Sequence, residues 1–105
     1  MKTVKDITET NQSGAAMILE ERRRQIATKN RTIQEDVDYN SDGSLASCAA
    51  LYALWDVEYF KALRIGFREK FWLWEKAAFK PKSRLENLVR AGALIAAEID
   101  RIKAD

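Results

Sequence analysis

The chain contains no histidine. That removes imidazole acid–base chemistry and every zinc site that needs a histidine ligand. It contains one cysteine, Cys48, so no disulfide forms within it, and this usage fits a reducing cytoplasm. No apolar run approaches the ~20 residues of a membrane span. Met1-Lys2 is not followed by a signal-peptide core. Net charge is only +2, so charge alone does not mark a nucleic-acid binder. The expectation is an intracellular, cytoplasmic protein with no membrane partner.

What is present points to helices. The length, 105 residues, is that of one domain, and such a domain buries roughly two thirds of its unfolded surface. Apolar residues make up 47%, which excludes overall disorder. The charged share of 32% exceeds the usual quarter, as helices with solvated faces require. Residues 1–12 are polar and read as a mobile arm; residues 13–105 read as a single helical domain. A first helix is predicted from about Ser13 to Asn30, with Ile18, Leu19, Arg22, Gln25 and Ile26 on one face. Glu20 and Glu21 precede Arg22-Arg23-Arg24, the order that suits the helix dipole.

Residues 30–43 hold no helical pattern but carry Glu35, Asp36, Asp38 and Asp42. Asn40 to Gly43 is a turn cluster, and Asp42 or Ser41 is placed to cap a helix from Ser44 to about Trp55. Leu45, Cys48, Ala49, Tyr52 and Trp55 recur there at helical spacing. Ala46, Ala49, Ala50 and Ala53 keep that helix slim, so a neighbour can pack close. Residues 56–79 fit either helix or loop. Val57, Phe60 and Phe67 suit a helix from Asp56, whereas Gly66 weakens it and Phe71 to Trp74 form an aromatic knot.

Lys80-Pro81 stops any helix. The last helix then opens on a capping box, Ser83-x-x-Glu86. Leu85, Leu88, Gly92, Ile95, Ile99 and Ile102 follow at alternating spacings of three and four, a seam of about five turns. Glycine costs about 1 kcal/mol inside a helix, so Gly92 predicts a close helix neighbour. The predicted fold is all-α, a small bundle of three to four helices with an aromatic-rich connecting segment. Its predicted core is Leu19, Ile26, Leu45, Tyr52, Leu88, Ile95 and Ile99. The aromatic segment covers one end or mediates self-association, and a homo-oligomer is expected.

The candidate binding residues are Arg22, Arg24, Lys80, Lys82 and Arg84, with Arg90 alongside and Trp72 or Trp74 as a stacking wall. Arginine forks match phosphate oxygens, helix N-termini attract anions, and aromatic rings stack on bases. The competing reading pairs these arginines with Glu86, Glu98 or the loop acids as structural ion pairs. The four acids of residues 35–42 lack the spacing of an EF-hand and read as a solvated, capping loop. No pair of carboxylates one turn apart occurs on an inner face. Cys48 has no histidine to activate it and reads as a buried, inert thiol. No catalytic residue, metal or cofactor is assigned.

The chain resembles a family of small proteins encoded by tailed phages and prophages. Its members carry a Glu-Arg-x-Arg-Gln helix, matched here by Glu21, Arg22, Arg24 and Gln25. An acidic loop matches through Asp38, Gly43 and Leu45, and an alanine-rich helix through Ala49, Ala50, Tyr52 and Ala53. Trp72 and Trp74 match a Trp-Pro-Trp segment. The specific part is a closing Lys-Pro-Lys-x-Arg stretch and its helix, matched by Lys80, Pro81, Lys82, Arg84 and Leu88 through Glu98. Where members carry loop histidines and a helix-starting glutamate, this chain has Asp36, Asn40 and Ser44, so no metal role carries over. The resemblance implies a phage origin. Three functions follow as expectations. The first is a non-catalytic protein that counters host defence by sequestering a nucleotide-type, phosphate-containing signal. The second is an inhibitor that docks on a host defence protein complex such as a CRISPR effector. The third is a diverged metal-dependent nucleotide hydrolase.

Overall fold

A computed structural model describes residues 12–29 and 33–104. The expected N-terminal arm lies outside these residues, apart from Gln12. Five α-helices and two short 3-10 turns make up the described chain: α1 Gly14–Lys29, α2 Ile33–Tyr39, α3 Ser44–Leu54, α4 Arg64–Phe71 and α5 Arg84–Ala104, with the turns at Glu58–Phe60 and Lys76–Ala78. No strand occurs among the described residues. The protein is a small all-α bundle closed by an aromatic segment.

Local chemistry starts the long helices. Ser13 Oγ accepts the Ala16 N–H at 3.1 Å ahead of α1. Before α3, Gly43 holds φ +90°, a conformation that glycine adopts without penalty. Asp42 accepts the Ser44 N–H at 3.0 Å. Hydrogen bonding from Ser44 holds the Asp42 carboxyl below the usual range. At α5, Ser83 Oγ accepts the Glu86 N–H at 3.2 Å and donates to the Glu86 carboxylate at 3.1 Å. The capping box therefore closes through the serine hydroxyl.

One stretch differs from expectation, and residues 56–79, which fit either helix or loop, hold both. Residues 33–39, read as loop, form α2, because Glu35 and Asp36 fall in its first turn, where the helix dipole favours acids. No helix starts at Asp56. The Val57 and Phe60 N–H groups bond three residues back, to Leu54 and Val57, a tighter winding that sends Phe60 into the core.

α5 packs mainly against α3 and also meets α1 and α2. The core is Leu45, Cys48, Ala49, Leu51, Tyr52 and Trp55 from the α3 region, Ala91, Leu94 and Ala97 from α5, with Phe60 and Trp72. Cys48 is buried and forms no disulfide. The aromatic knot closes one end: Phe79 lies 5.0 Å from Tyr52, 4.7 Å from Trp55 and 4.9 Å from Trp72, ring centre to ring centre. Gly92 does meet a close neighbour. A Cβ there would collide with Cδ1 and Cγ1 of Ile18 from α1.

The expected core is corrected at five positions. Leu45 and Tyr52 are buried, but Leu19, Ile26, Leu88, Ile95 and Ile99 are 39–53% exposed. α5 turns Asn87, Ala91, Leu94 and Ala97 inward instead. Small side chains on α5 let it approach α3, where a row of isoleucines would hold the two axes apart; of the alanines expected to keep α3 slim, Ala49 is buried, whereas Ala46 and Ala50 are exposed.

Candidate functional site

The chain between the aromatic knot and α5 is lashed down by side chains from elsewhere. Tyr52 Oη of α3 accepts the Lys80 N–H at 3.1 Å. Arg90 Nη1 donates to the Lys80 carbonyl at 2.6 Å. Asn87 Oδ1 accepts the Lys82 N–H at 2.7 Å, and its Nδ2 donates to Asp56 at 3.0 Å. Pro81 stiffens the link between the two lysines. An exposed strand-like segment thereby becomes a fixed ledge carrying two ammonium groups.

The ledge is one wall of a cleft of about 660 Å³, within the usual range for small-molecule sites. Its other walls are Glu21, Arg24 and Gln25 of α1, Asn40 after α2, Tyr52 of α3, Trp72 and Trp74 of the knot, and Arg90 and Leu94 of α5. Trp74 Nε1 donates to Asn40 Oδ1 at 3.2 Å, which joins the knot to the turn after α2. A smaller cavity of about 320 Å³ adjoins it, sharing Arg24, Lys82 and Arg90 and reaching Met17 and Glu86.

The structure brings together Arg24, Trp72, Trp74, Lys80 and Lys82 from the sequence-derived set, and Arg90 with them. Arg22 and Arg84, expected beside them, stand elsewhere and line neither the cleft nor the adjoining cavity. Arg22 is 5% exposed and points away from the cleft to Asp100 at 3.5 Å and Asp36 at 4.0 Å. One helical residue step of ~100° separates neighbouring side chains, so Arg22 and Arg24 cannot share a face. Arg84 donates to the Ala53 carbonyl at 3.0 Å. The opening of α5 is also not a vacant anion site, because Ser83 and Glu86 occupy it.

The cations differ in availability. Arg24 grips Glu21 with two hydrogen bonds of 2.7 Å. The Arg24 guanidinium holds the Glu21 carboxyl below its usual range, and Glu21 holds the guanidinium above its own. Arg90 lies over the Tyr52 ring at 5.8 Å. Lys80 and Lys82 are exposed and make no ion pair among the described residues. The tryptophans also differ. Trp72 is 8% exposed, edge-on to Tyr52 and Trp74, and it donates to the Glu75 carbonyl at 2.7 Å. It is a packed floor, whereas the half-buried Trp74 presents surface.

Sequence reasoning assigned Tyr52 and Leu94 to no site and left out Gln25, Asn40 and Glu75. Glu21, Arg24 and Gln25 stand three and four apart, so their shared face was available as a signal. Asn40 and Tyr52 arrive through long-range packing and carried none. Among the described residues, no group of three or more Cys, Asp and Glu side chains is arranged to hold a metal ion, and no helix is long and apolar enough to cross a membrane. Comparison with protein-family models, with curated proteins and with solved structures finds no significant match.

Proposed function

We propose that this protein captures a nucleotide-type, phosphate-bearing small molecule in the Lys80–Lys82 cleft without transforming it. The observation that supports this reading is the gathering of Arg24, Lys80, Lys82 and Arg90 from three separated segments around Trp74. Phosphate oxygens would pair with the two lysines and draw in Arg90. A base would lie against Trp74, whose π-face is sequence-tolerant. Glu21 tunes the site by competing with the ligand for Arg24. With the phage origin that the resemblance to tailed-phage proteins implies, such capture would sequester a host defence signal in the cytoplasm.

Calorimetric titration with cyclic and ADP-ribose-type nucleotides tests the reading. It expects saturable binding to at least one, weakened ten-fold or more in a Lys80→Ala/Lys82→Ala protein that keeps its helical circular dichroism. Mass spectrometry of small molecules released on denaturation identifies a co-purified ligand. No heat with any nucleotide and no released nucleotide would sink the proposal.

A second reading, docking on a host protein complex, draws on Tyr39. This ring is 77% exposed at the end of the acidic helix α2, and aromatic rings are favoured interface anchors. Capture of one defined host complex by the native protein, abolished by Tyr39→Ala, would favour it over sequestration.

A further inference from the structure

α5 carries a second surface that the cleft does not use. Leu85, Leu88, Ile95, Ile99 and Ile102 are 40–58% exposed. With Gly92 they recur at spacings of three, four, three, four and three. That narrow repeat is the seam of paired helices, whereas a helix lying on a globular core shows a broader stripe. At ~100° per residue these positions share one strip of α5 about 100° wide. No charged residue falls within it between Leu85 and Ile102, in a chain that is 32% charged. The core-facing Ala91 and Leu94 flank the strip on one side, and Ile18, seated on Gly92, flanks it on the other. Leu19 and Ile26 are also exposed, on the side of α1 opposite Glu21 and Arg24.

We propose that this strip is the interface of a homodimer in which α5 of one copy packs antiparallel on α5 of a second. The seam itself points to its occupant. Its spacings read the same in both directions, so a two-fold axis between residues 93 and 94 maps the strip onto itself. Leu85 then faces Ile102 of the second copy, Leu88 faces Ile99, and Gly92 faces Ile95. Each position of one heptad class meets the other class, as antiparallel knobs-into-holes packing requires. The antiparallel arrangement also sets the two helix dipoles in opposition.

The area agrees. The exposed aliphatic residues of α5 and α1 bare several hundred Å², at the upper end of the roughly 300–600 Å² found for the largest patch of a monomer. Two such faces reach on the order of 1,000 Å², the lower bound for a specific interface. Arg90 and Leu94 project from other sides of α5, so the dimer leaves the cleft open. Dimerisation and nucleotide capture therefore stand or fall separately.

Sedimentation equilibrium on the full chain tests the proposal. The native protein is expected at an even multiple of the chain mass. Leu88→Lys and Ile99→Glu, both at exposed positions, are each expected to raise the dissociation constant at least a hundredfold and to keep native circular dichroism. Mixing the two variants is expected to restore pairing, because the ammonium introduced at position 88 of one copy then meets the carboxylate introduced at position 99 of the other. A parallel alignment would oppose residue 88 to 88, so mixing would relieve like-charge repulsion but pair neither introduced charge with an opposite one. A monomeric native chain at high concentration, an assembly indifferent to both substitutions, or a mixture that stays apart would overturn it.

Discussion

The two sides of α5 are built from opposite kinds of residue. Toward α3 it presents Asn87, Ala91, Leu94 and Ala97; away from the bundle it presents Leu85, Leu88, Ile95, Ile99 and Ile102. The bulkier aliphatic row is the one left outside. Burial in this bundle follows fit more closely than it follows hydrophobicity. The α3 region already supplies large side chains in Leu45, Leu51, Tyr52 and Trp55, and the space left beside them suits alanine. Even the polar Asn87, 1% exposed, is accommodated there, because its amide serves Asp56 and the Lys82 backbone. The inner side makes the fold and holds the ledge; the outer side is free for a second copy.

Substitutions on and around α5 divide by side, and the largest effect falls at its edge. Arg22→Ala strands the fully buried Asp36 and removes the link from α1 to α2 and Asp100. Loss of one partner from a buried ion pair costs about 3–5 kcal/mol, which urea unfolding will register as a large fall in midpoint. A loss under about 1 kcal/mol, the range of exposed pairs, would mean that the pair is not structural. Leu94→Ala, on the inner side, opens a cavity beside α3 and is expected to cost about 3 kcal/mol. Ala97→Leu overfills the same side and is expected to cost ~1–3 kcal/mol by the same assay.

A smaller effect depends on pH. The Glu21 carboxyl is held low in the fold by Arg24, so its folded value lies below the unfolded value of roughly 4.3. Its contribution is therefore complete above that unfolded value and disappears as pH falls through the folded one. For a pair at the cleft mouth, that contribution is expected to stay below about 1 kcal/mol. Native protein and Glu21→Gln should differ slightly in urea midpoint at neutral pH and converge in acid, below the folded value. The smallest effect belongs to Ile95→Ser, one residue from Leu94. In dilute solution it should move stability by no more than about 0.5 kcal/mol. Equal losses at positions 94 and 95 would erase the distinction between the two sides.

Much of the local structure is legible residue by residue. Ser13, the Asp42-Gly43 turn and the Ser83/Glu86 pair mark the starts of α1, α3 and α5, and Gly92 announces the contact made by Ile18. These signals act within one turn of chain or require only a missing side chain. The cleft is legible in part. Lys80, Lys82, Trp72 and Trp74 are near in sequence, and Arg24 needed only the right side of α1. Arg22 and Arg84 carried the same charge and the same apparent promise, yet Asp36 and Asp100 claim the first and the Ala53 carbonyl the second.

The helical class, the starts of α1, α3 and α5, the absence of imidazole chemistry and the seam on α5 follow from residue types and their spacing. Those properties depend on neighbours no more than four positions apart. Which side of α5 faces α3, which arginine reaches the cleft, and how Tyr52 and Asn87 brace the lysine ledge were decided by packing between distant segments. Periodicity defines a helix's faces, but the volume offered by its neighbours selects the one that is buried.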